Sequence, residues 1–230
     1  MFFDPVYMLF VLVPSLILSL GAQFFVRSAY GRWSKARNSA GLSGVQVADR
    51  IFRRTRIAPV PLEGAPGELS DHFDPGKNVV RLSQDIATVP SIASMAVVAH
   101  ELGHVEQYQS RSPLIAMRSF LLPAVQLSPT VSYLLIFLGL ILNAVNLIWL
   151  GVIFFGLVVV FMVLTLPVEF DASRRALRLL QESGLIMTAD DERGARQVLT
   201  AAALTYVAAA VTAVLQLLYY ISLASGRSRD

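Results

Sequence analysis

Uncharged apolar runs alternate with charge-rich segments along the chain. Residues 6–26 carry no charge and are long enough to cross a hydrocarbon layer of about 30 Å as a helix. Residues 119–168 form a second uncharged stretch, too long for one crossing and right for two helices of about twenty residues. The pattern divides it into spans at 119–142 and 145–168, with Asn143 and Asn146 marking the turn. Pro123 and Pro129 fall in the first of these, where neighbouring helices must satisfy the carbonyl groups that proline frees. An Ala/Leu/Val-rich stretch at 200–223 makes a fourth span, with Tyr219 and Tyr220 placed where interfacial aromatic rings sit. No basic segment precedes residues 6–26, and the run exceeds a typical signal-peptide core, so it is expected to stay as a membrane helix.

The charged segments read differently. Residues 27–118 are long enough for a small domain that leans on the membrane helices for part of its core, and 169–199 form a second polar segment. Val45, Val47, Ala48, Ile51 and Phe52 recur at near-helical spacing, with Asp49, Arg50, Arg53 and Arg54 between them, which predicts an amphipathic helix capped near Ser43. Pro59, Pro61, Gly64, Pro66 and Gly67 read as a loop. Residues 69–73 and 78–82 then flank Asp74-Pro75-Gly76-Lys77 as a β-hairpin. After Pro90 a helix over about 91–110 has no breaker before Pro113. The expected fold is mainly α: a multi-pass membrane protein with about four transmembrane helices and a small α+β cytosolic domain.

Composition agrees with this pattern. The 230 residues are 55% hydrophobic and only 15% charged, with a mean hydropathy of +0.59. Arginines and one lysine crowd behind the first span, from Arg27 to Arg56, and behind the third, from Arg174 to Arg196. The positive-inside rule puts both segments in the cytoplasm and Asn143 outside. Arg227 and Arg229 near the C-terminus are an exception on the outer side. The basic balance thus reflects topology and anionic lipid, with no nucleic-acid motif. Cysteine is absent, which excludes disulfides, thiolate metal sites and cysteine nucleophiles.

The candidate chemistry lies at His100-Glu101-Leu102-Gly103-His104, which holds two of the three histidines in the chain. In H-E-x-x-H, residues i and i+4 share a helix face, so both imidazoles reach one tetrahedral Zn2+, with Glu101 beside its water as general base. Gly103 costs about 1 kcal/mol relative to Ala inside a helix, which suggests a packing or access reason. A catalytic zinc takes three protein ligands and keeps one position open. No histidine follows His104, which leaves a carboxylate or His72. The best carboxylate is Glu169, at the edge of the third span and on the same predicted side as His100. His72, beside Asp71 and Asp74, has three readings: a third ligand, a polariser of the scissile carbonyl, or a hydrogen-bond partner of the turn.

The segments Asp71-His72-Phe73-Asp74-Pro75, His100 to His104, Glu169-Phe170-Asp171-Ala172-Ser173-Arg174-Arg175-Ala176-Leu177 and Ala202-Ala203-Leu204-Thr205-Tyr206 resemble the YugP-type family of bacterial membrane zinc metallopeptidases. The resemblance covers nearly the whole chain, including the opening Met1-Phe2-Phe3-Asp4-Pro5. More distantly the chain is similar to HtpX-type membrane gluzincins, whose third zinc ligand is a glutamate opening an E-[FY]-x-A-D run. That resemblance implies Glu169 as the third ligand. Ser173 stands where the distant group has Asp, which removes a supporting carboxylate there, and Asp171 could replace it only through a different geometry.

The expected function is an integral membrane zinc-dependent endopeptidase whose α+β cytosolic domain at 27–118 is zincin-like, with metal ligands His100, His104 and Glu169 and Glu101 as catalytic base. Its partners would be a protein or peptide substrate and the lipid bilayer, and its active site would face the cytoplasm of a bacterial inner membrane. The alternative is a membrane assembly or scaffolding protein with a structural or vestigial zinc site. Against that stands Glu101, because a closed structural site has four ligands and no use for an acid at that position.

Overall fold

The computed structural model describes residues 4–227; Met1, Phe2 and Phe3 of the opening segment, and Arg229, lie outside it. Helix α1 runs Pro5–Trp33, opening on an Asp4 cap and passing through a π-helical turn at Met8–Leu12. Then follow α2 (Gly44–Arg54), β1 (Leu62–Ala65), β2 (His72–Asp74), β3 (Val79–Ser83), the short α3 (Gln84–Thr88), α4 (Ile92–Gln109), α5 (Pro113–Ile141), α6 (Val145–Glu182) and α7 (Ala189–Arg227). The architecture is mainly α, and α1, α5, α6 and α7 are long and apolar enough to cross a membrane. Two compact units emerge: one of residues up to Ala22, Ala116–Pro167 and from Thr205 onward, the other of Gln23–Ile115 and Val168–Leu204.

In the first unit, α5 and α6 turn on Asn143, whose φ of 50° is left-handed. Asn tolerates this conformation because its short polar side chain bonds locally. Asn146, read from the sequence as part of the turn, instead lies in the first turn of α6. The two helices pack closely through small residues. A Cβ on Gly139 would sit 2.7 Å from Ile148 Cγ1, and one on Gly151 would sit 2.6 Å from Ile136 Cγ1. Ser132 Oγ donates to Gly151 O at 2.8 Å, and Ser128 Oγ to Phe154 O at 2.7 Å. Such approach is how helices associate where the surroundings are as apolar as the side chains. Helix α5 continues unbroken through Pro123 and Pro129. Phe120, Leu127, Phe137 and Leu142 stay exposed, a surface for lipid and not for water.

The second unit has an ordinary core. Val47, Ala48 and Ile51 of α2, Val80 and Leu82 of β3, Met95, Val98, Ala99 and Leu102 of α4, and Leu179 and Leu180 of α6 are all buried in one cluster. The cap of α2 falls on Ser43, whose hydroxyl accepts from Gln46 N while Gln46 Oε1 accepts from Ser43 N, a reciprocal capping box. The sheet has the order β1-β3-β2, with β1 parallel and β2 antiparallel to β3. Phe73 faces Val80, and Leu62 also pairs with Val80 on the other side. Strand β1 corrects the reading of the Pro59–Gly67 segment as loop: Leu-Glu-Gly-Ala has little strand signal of its own and is extended by pairing with β3. In the hairpin turn, Asp74 Oδ1 accepts from Gly76 N and Lys77 N. The left-handed residue is Asn78, with φ 52°, and not Gly76.

Candidate metal centre

Helix α4 begins at Ser91, whose hydroxyl accepts from Ser94 N at 3.0 Å. From there eighteen helical residues put His100 and His104 on one face, one turn apart, with ring centroids 4.8 Å apart. Helix α6 supplies Glu169. Its Oε2 lies 3.3 Å from His100 Nε2 and 3.5 Å from His104 Nε2, and one donor atom from each of the three residues lies within 4.8 Å of the others. What allows this approach is Gly103. A Cβ there would stand 2.5 Å from the carbonyl oxygen of Ala172, so only glycine lets α4 lie directly on the backbone of α6. The helix-propensity cost noted in the sequence thus has a packing reason.

The outward ring nitrogens are held separately. Gln107, fully buried, donates from Nε2 to Val168 O at 2.9 Å and to Asp171 Oδ2 at 2.8 Å. Its Oε1 is therefore the atom 3.0 Å from His104 Nδ1, which must carry the proton and donate. That fixes the lone pair on Nε2, aimed at Glu169. Asp171 Oδ2 also accepts from Arg175 Nε at 2.7 Å, Arg175 pairs with Glu106 at 3.2 Å, and Glu106 pairs with Arg178. On the other imidazole, Ser173 Oγ lies 3.3 Å from His100 Nδ1.

Asp171 thus reaches His104 through Gln107 and not directly. Sequence reasoning missed Gln107. The available signal was an amide three residues after His104, on the helix face of the two histidines.

Two imidazole nitrogens and a carboxylate oxygen that face one another could hold a metal ion among them. Ligands at about 2.0–2.2 Å from a tetrahedral zinc stand about 3.3–3.5 Å apart, which matches the separations of 3.3 and 3.5 Å. Nitrogen, nitrogen and carboxylate oxygen is also a zinc donor set. Burial alone would push the His104 imidazole down. The carboxylates of Glu169 and Glu101 and the Gln107 amide outweigh it and hold the ring above its ordinary value, as expected where a positive charge belongs. The side chains of His100 and His104 are 14% and 11% exposed, whereas that of Glu169 is 2% exposed, so the approach to the cluster is from the histidine side.

Glu101 is buried and its Oε2 accepts from Phe73 N at 2.8 Å. Strand β2 is thus pinned to α4, and Phe73 stacks edge-on against Tyr108 at 5.6 Å. The same bond engages Oε2 of Glu101. His72 lies outside the cluster. Its Nδ1 is 2.8 Å from Ser70 O and its Nε2 is 3.3 Å from Arg81, so of the three sequence readings the geometry matches the hydrogen-bond partner of the turn. Arg81 also pairs with Glu63 and Asp74, and the guanidinium holds the Asp74 carboxyl below its usual range.

Comparison with known proteins agrees with this geometry. A protein-family model described as "Putative neutral zinc metallopeptidase" matches residues 7–225. The chain is 40% identical over 213 residues to the "Putative membrane protease YugP" of Bacillus subtilis (strain 168), a match that covers 93% of this chain and 94% of the relative. No solved structure matches the chain significantly. With the family model spanning nearly its whole length, and a relative that shares two residues in five, the chain belongs to this YugP-type family of zinc metallopeptidases.

Proposed function

We propose that the protein is an integral membrane endopeptidase of the gluzincin type, with His100, His104 and Glu169 holding one zinc and Glu101 acting as general base. The observation that carries the reading is the convergence of three ligand atoms from two helices within 4.8 Å of one another, the Glu169 oxygen standing 3.3 and 3.5 Å from the two imidazole nitrogens, with Glu101 of the signature left out of the ligand set. Zinc bound there supplies Lewis acidity toward a water and a substrate carbonyl. Glu101, held at Oε2 by Phe73 N, receives the proton of the attacking water at Oε1 and returns it to the leaving amine. Gln107 keeps His104 in the ligating tautomer, and Ser173 beside His100 Nδ1 helps orient the second imidazole. The substrate is a protein or peptide, and strand β2 beside Glu101 gives it a rim along which to extend.

The apolar runs of α1, α5, α6 and α7 and the arginines that follow the first and third support a four-span protein of a bacterial plasma membrane, with residues 27–118 and 169–199 in the cytoplasm. Because the chain has no cysteine, single introduced cysteines report sidedness cleanly. An impermeant thiol reagent added outside should label a cysteine at Asn143 and miss one at Ser110; the reverse pattern refutes the orientation.

Glu101→Gln tests the chemistry. Zinc content should stay equal to wild type while peptide hydrolysis falls by roughly 10²–10⁴-fold, the usual contribution of a positioned acid–base group. Undiminished hydrolysis would exclude Glu101 as the base.

A further inference from the structure

A cavity of about 430 Å³ lies in the second unit, where the end of α1 runs beside the start of α7. Its volume falls within the range of small-ligand sites. The lining is graded. Arg32 and Arg196 stand at one end, Ser28, Gln197 and Thr200 in the middle, and Phe25 and Leu204 at the other, where both helices enter their uncharged runs. The order cation, hydroxyl and amide, then apolar side chain follows the order of groups in a glycerophospholipid: phosphate, ester-bearing glycerol, acyl chain.

The cavity is held open by its neighbours. Gly194 lets the start of α7 lie against the Trp33 indole, since a Cβ there would be 2.6 Å from Trp33 Cε3, and Trp33 Nε1 donates to Gln197 Oε1 at 2.8 Å. With its oxygen taken, the Gln197 amide has its NH2 group to offer. The Arg32 guanidinium lies over the Trp33 ring at 4.9 Å, a stacking that leaves the in-plane N–H groups at its edge for a phosphate. Arg196 spends Nε and NH2 on Glu192 Oε1 at 3.1 and 2.8 Å. Its NH1 is not engaged by Glu192, and one net positive charge is left among Arg32, Arg196 and Glu192.

We infer that this cavity is a binding site for the phosphate and glycerol of an anionic membrane phospholipid, seated between α1 and α7 at the cytoplasmic surface. The inference rests on the proposed membrane topology and is independent of the zinc chemistry. Charge complementarity selects the headgroup, and the apolar end, continuous with the spans, selects a lipid over a soluble phosphate ester. A lipid bound there bridges two helices that are far apart in sequence, and so joins the entry of the second unit to its last helix.

The test uses the full-length protein in detergent. Native mass spectrometry reads the lipid adducts retained with phosphatidylglycerol, with phosphatidylcholine, and with phosphatidylglycerol plus excess glycerol 3-phosphate. Phosphatidylglycerol should be retained in preference to phosphatidylcholine and should resist glycerol 3-phosphate. The double substitution Arg32→Ala, Arg196→Ala should weaken retention by about thirty-fold, since each basic residue at a membrane surface contributes about a factor of five. Arg50→Ala, Arg54→Ala removes the same charge from α2 and should change nothing. Equal retention of both lipids, equal loss in both double variants, or full displacement by glycerol 3-phosphate would each overturn the inference. If the alanine pair misfolds, Arg32→Lys, Arg196→Lys keeps the charge and loses the forked donors, and retention should fall several-fold; unchanged retention counts against the site. Zinc content is read alongside and should not move in any variant. Recovery of the protein without detergent would refute the membrane reading and not the cavity alone.

Discussion

Gly151 and Gly103 make the same kind of contact in the two units, with different results. In the first unit Gly151 takes α6 against Ile136 and the Ser132 carbonyl of α5, and the Ser132 hydroxyl returns a bond to Gly151 O. Nothing ionisable is brought together; the close approach serves packing alone. In the second unit Gly103 takes α4 against the Ala172 carbonyl of α6, and the approach delivers Glu169 to His100 and His104. One small residue fixes a helix pair in both places. What differs is which residues lie a turn away, and therefore whether close packing ends as stability or as a candidate metal site.

The contrast can be broken at several points. The largest effect is expected at Glu169. Glu169→Ala removes one of three donors, and zinc retained after dialysis, measured by elemental analysis, should fall by more than the roughly 100-fold that loss of a supporting residue causes. Equal zinc content would place the third ligand elsewhere.

Next comes the pair of glycine variants. Gly103→Ala and Gly151→Ala should each destabilise by about 1–3 kcal/mol, the usual cost of overpacking, seen as a lower Tm in detergent. Only Gly103→Ala should also lower zinc affinity, by about ten-fold, because only there do the displaced helices carry ligands. If zinc affinity moves alike in both variants, the two contacts are not separable.

Smaller again is the asymmetry between the two imidazoles. His104 is held by buried Gln107, which is itself held by Val168 O and Asp171. His100 has Ser173 at a longer 3.3 Å. Gln107→Leu should therefore weaken zinc binding by roughly 10–100-fold, and Ser173→Ala by less. The reverse order would mean that His100 is the more dependent ligand. Zinc retention should also fall with pH, and sooner than for an ordinary imidazole. His104 must be neutral at Nε2 to ligate, and its environment holds its proton above the usual range, so the proton competes with metal at a higher pH.

Much of this was legible in the chain. The uncharged runs marked four long helices because a bilayer leaves no alternative to burying backbone polar groups within each segment. The H-E-x-x-H spacing placed two donors on one face, since helix periodicity is local. Asn143 was legible as a turn, though Asn146 was not excluded from it until the first turn of α6 was seen. Strand β1 was not legible, because Leu62–Ala65 is extended by its partner β3 and not by its own composition. The helix-propensity cost of Gly103 was visible, but its cause was not, because the carbonyl it accommodates is 69 positions away at Ala172.

Sequence alone therefore determined the spans, the basic segments and the pair of imidazoles, each of which depends on residues within a few turns of one another. Its place at the edge of the third span, and then the resemblance to a family, pointed to Glu169. Tertiary structure decided which oxygen faces the imidazoles, that Gln107 sets the tautomer of His104, that Ser173 lies beside His100, that Asp171 acts through an amide, and that His72 bonds to the hairpin. Those outcomes depend on the distance between α4 and α6, which is set where a glycine meets a backbone carbonyl, and no local pattern encodes the separation of two helices.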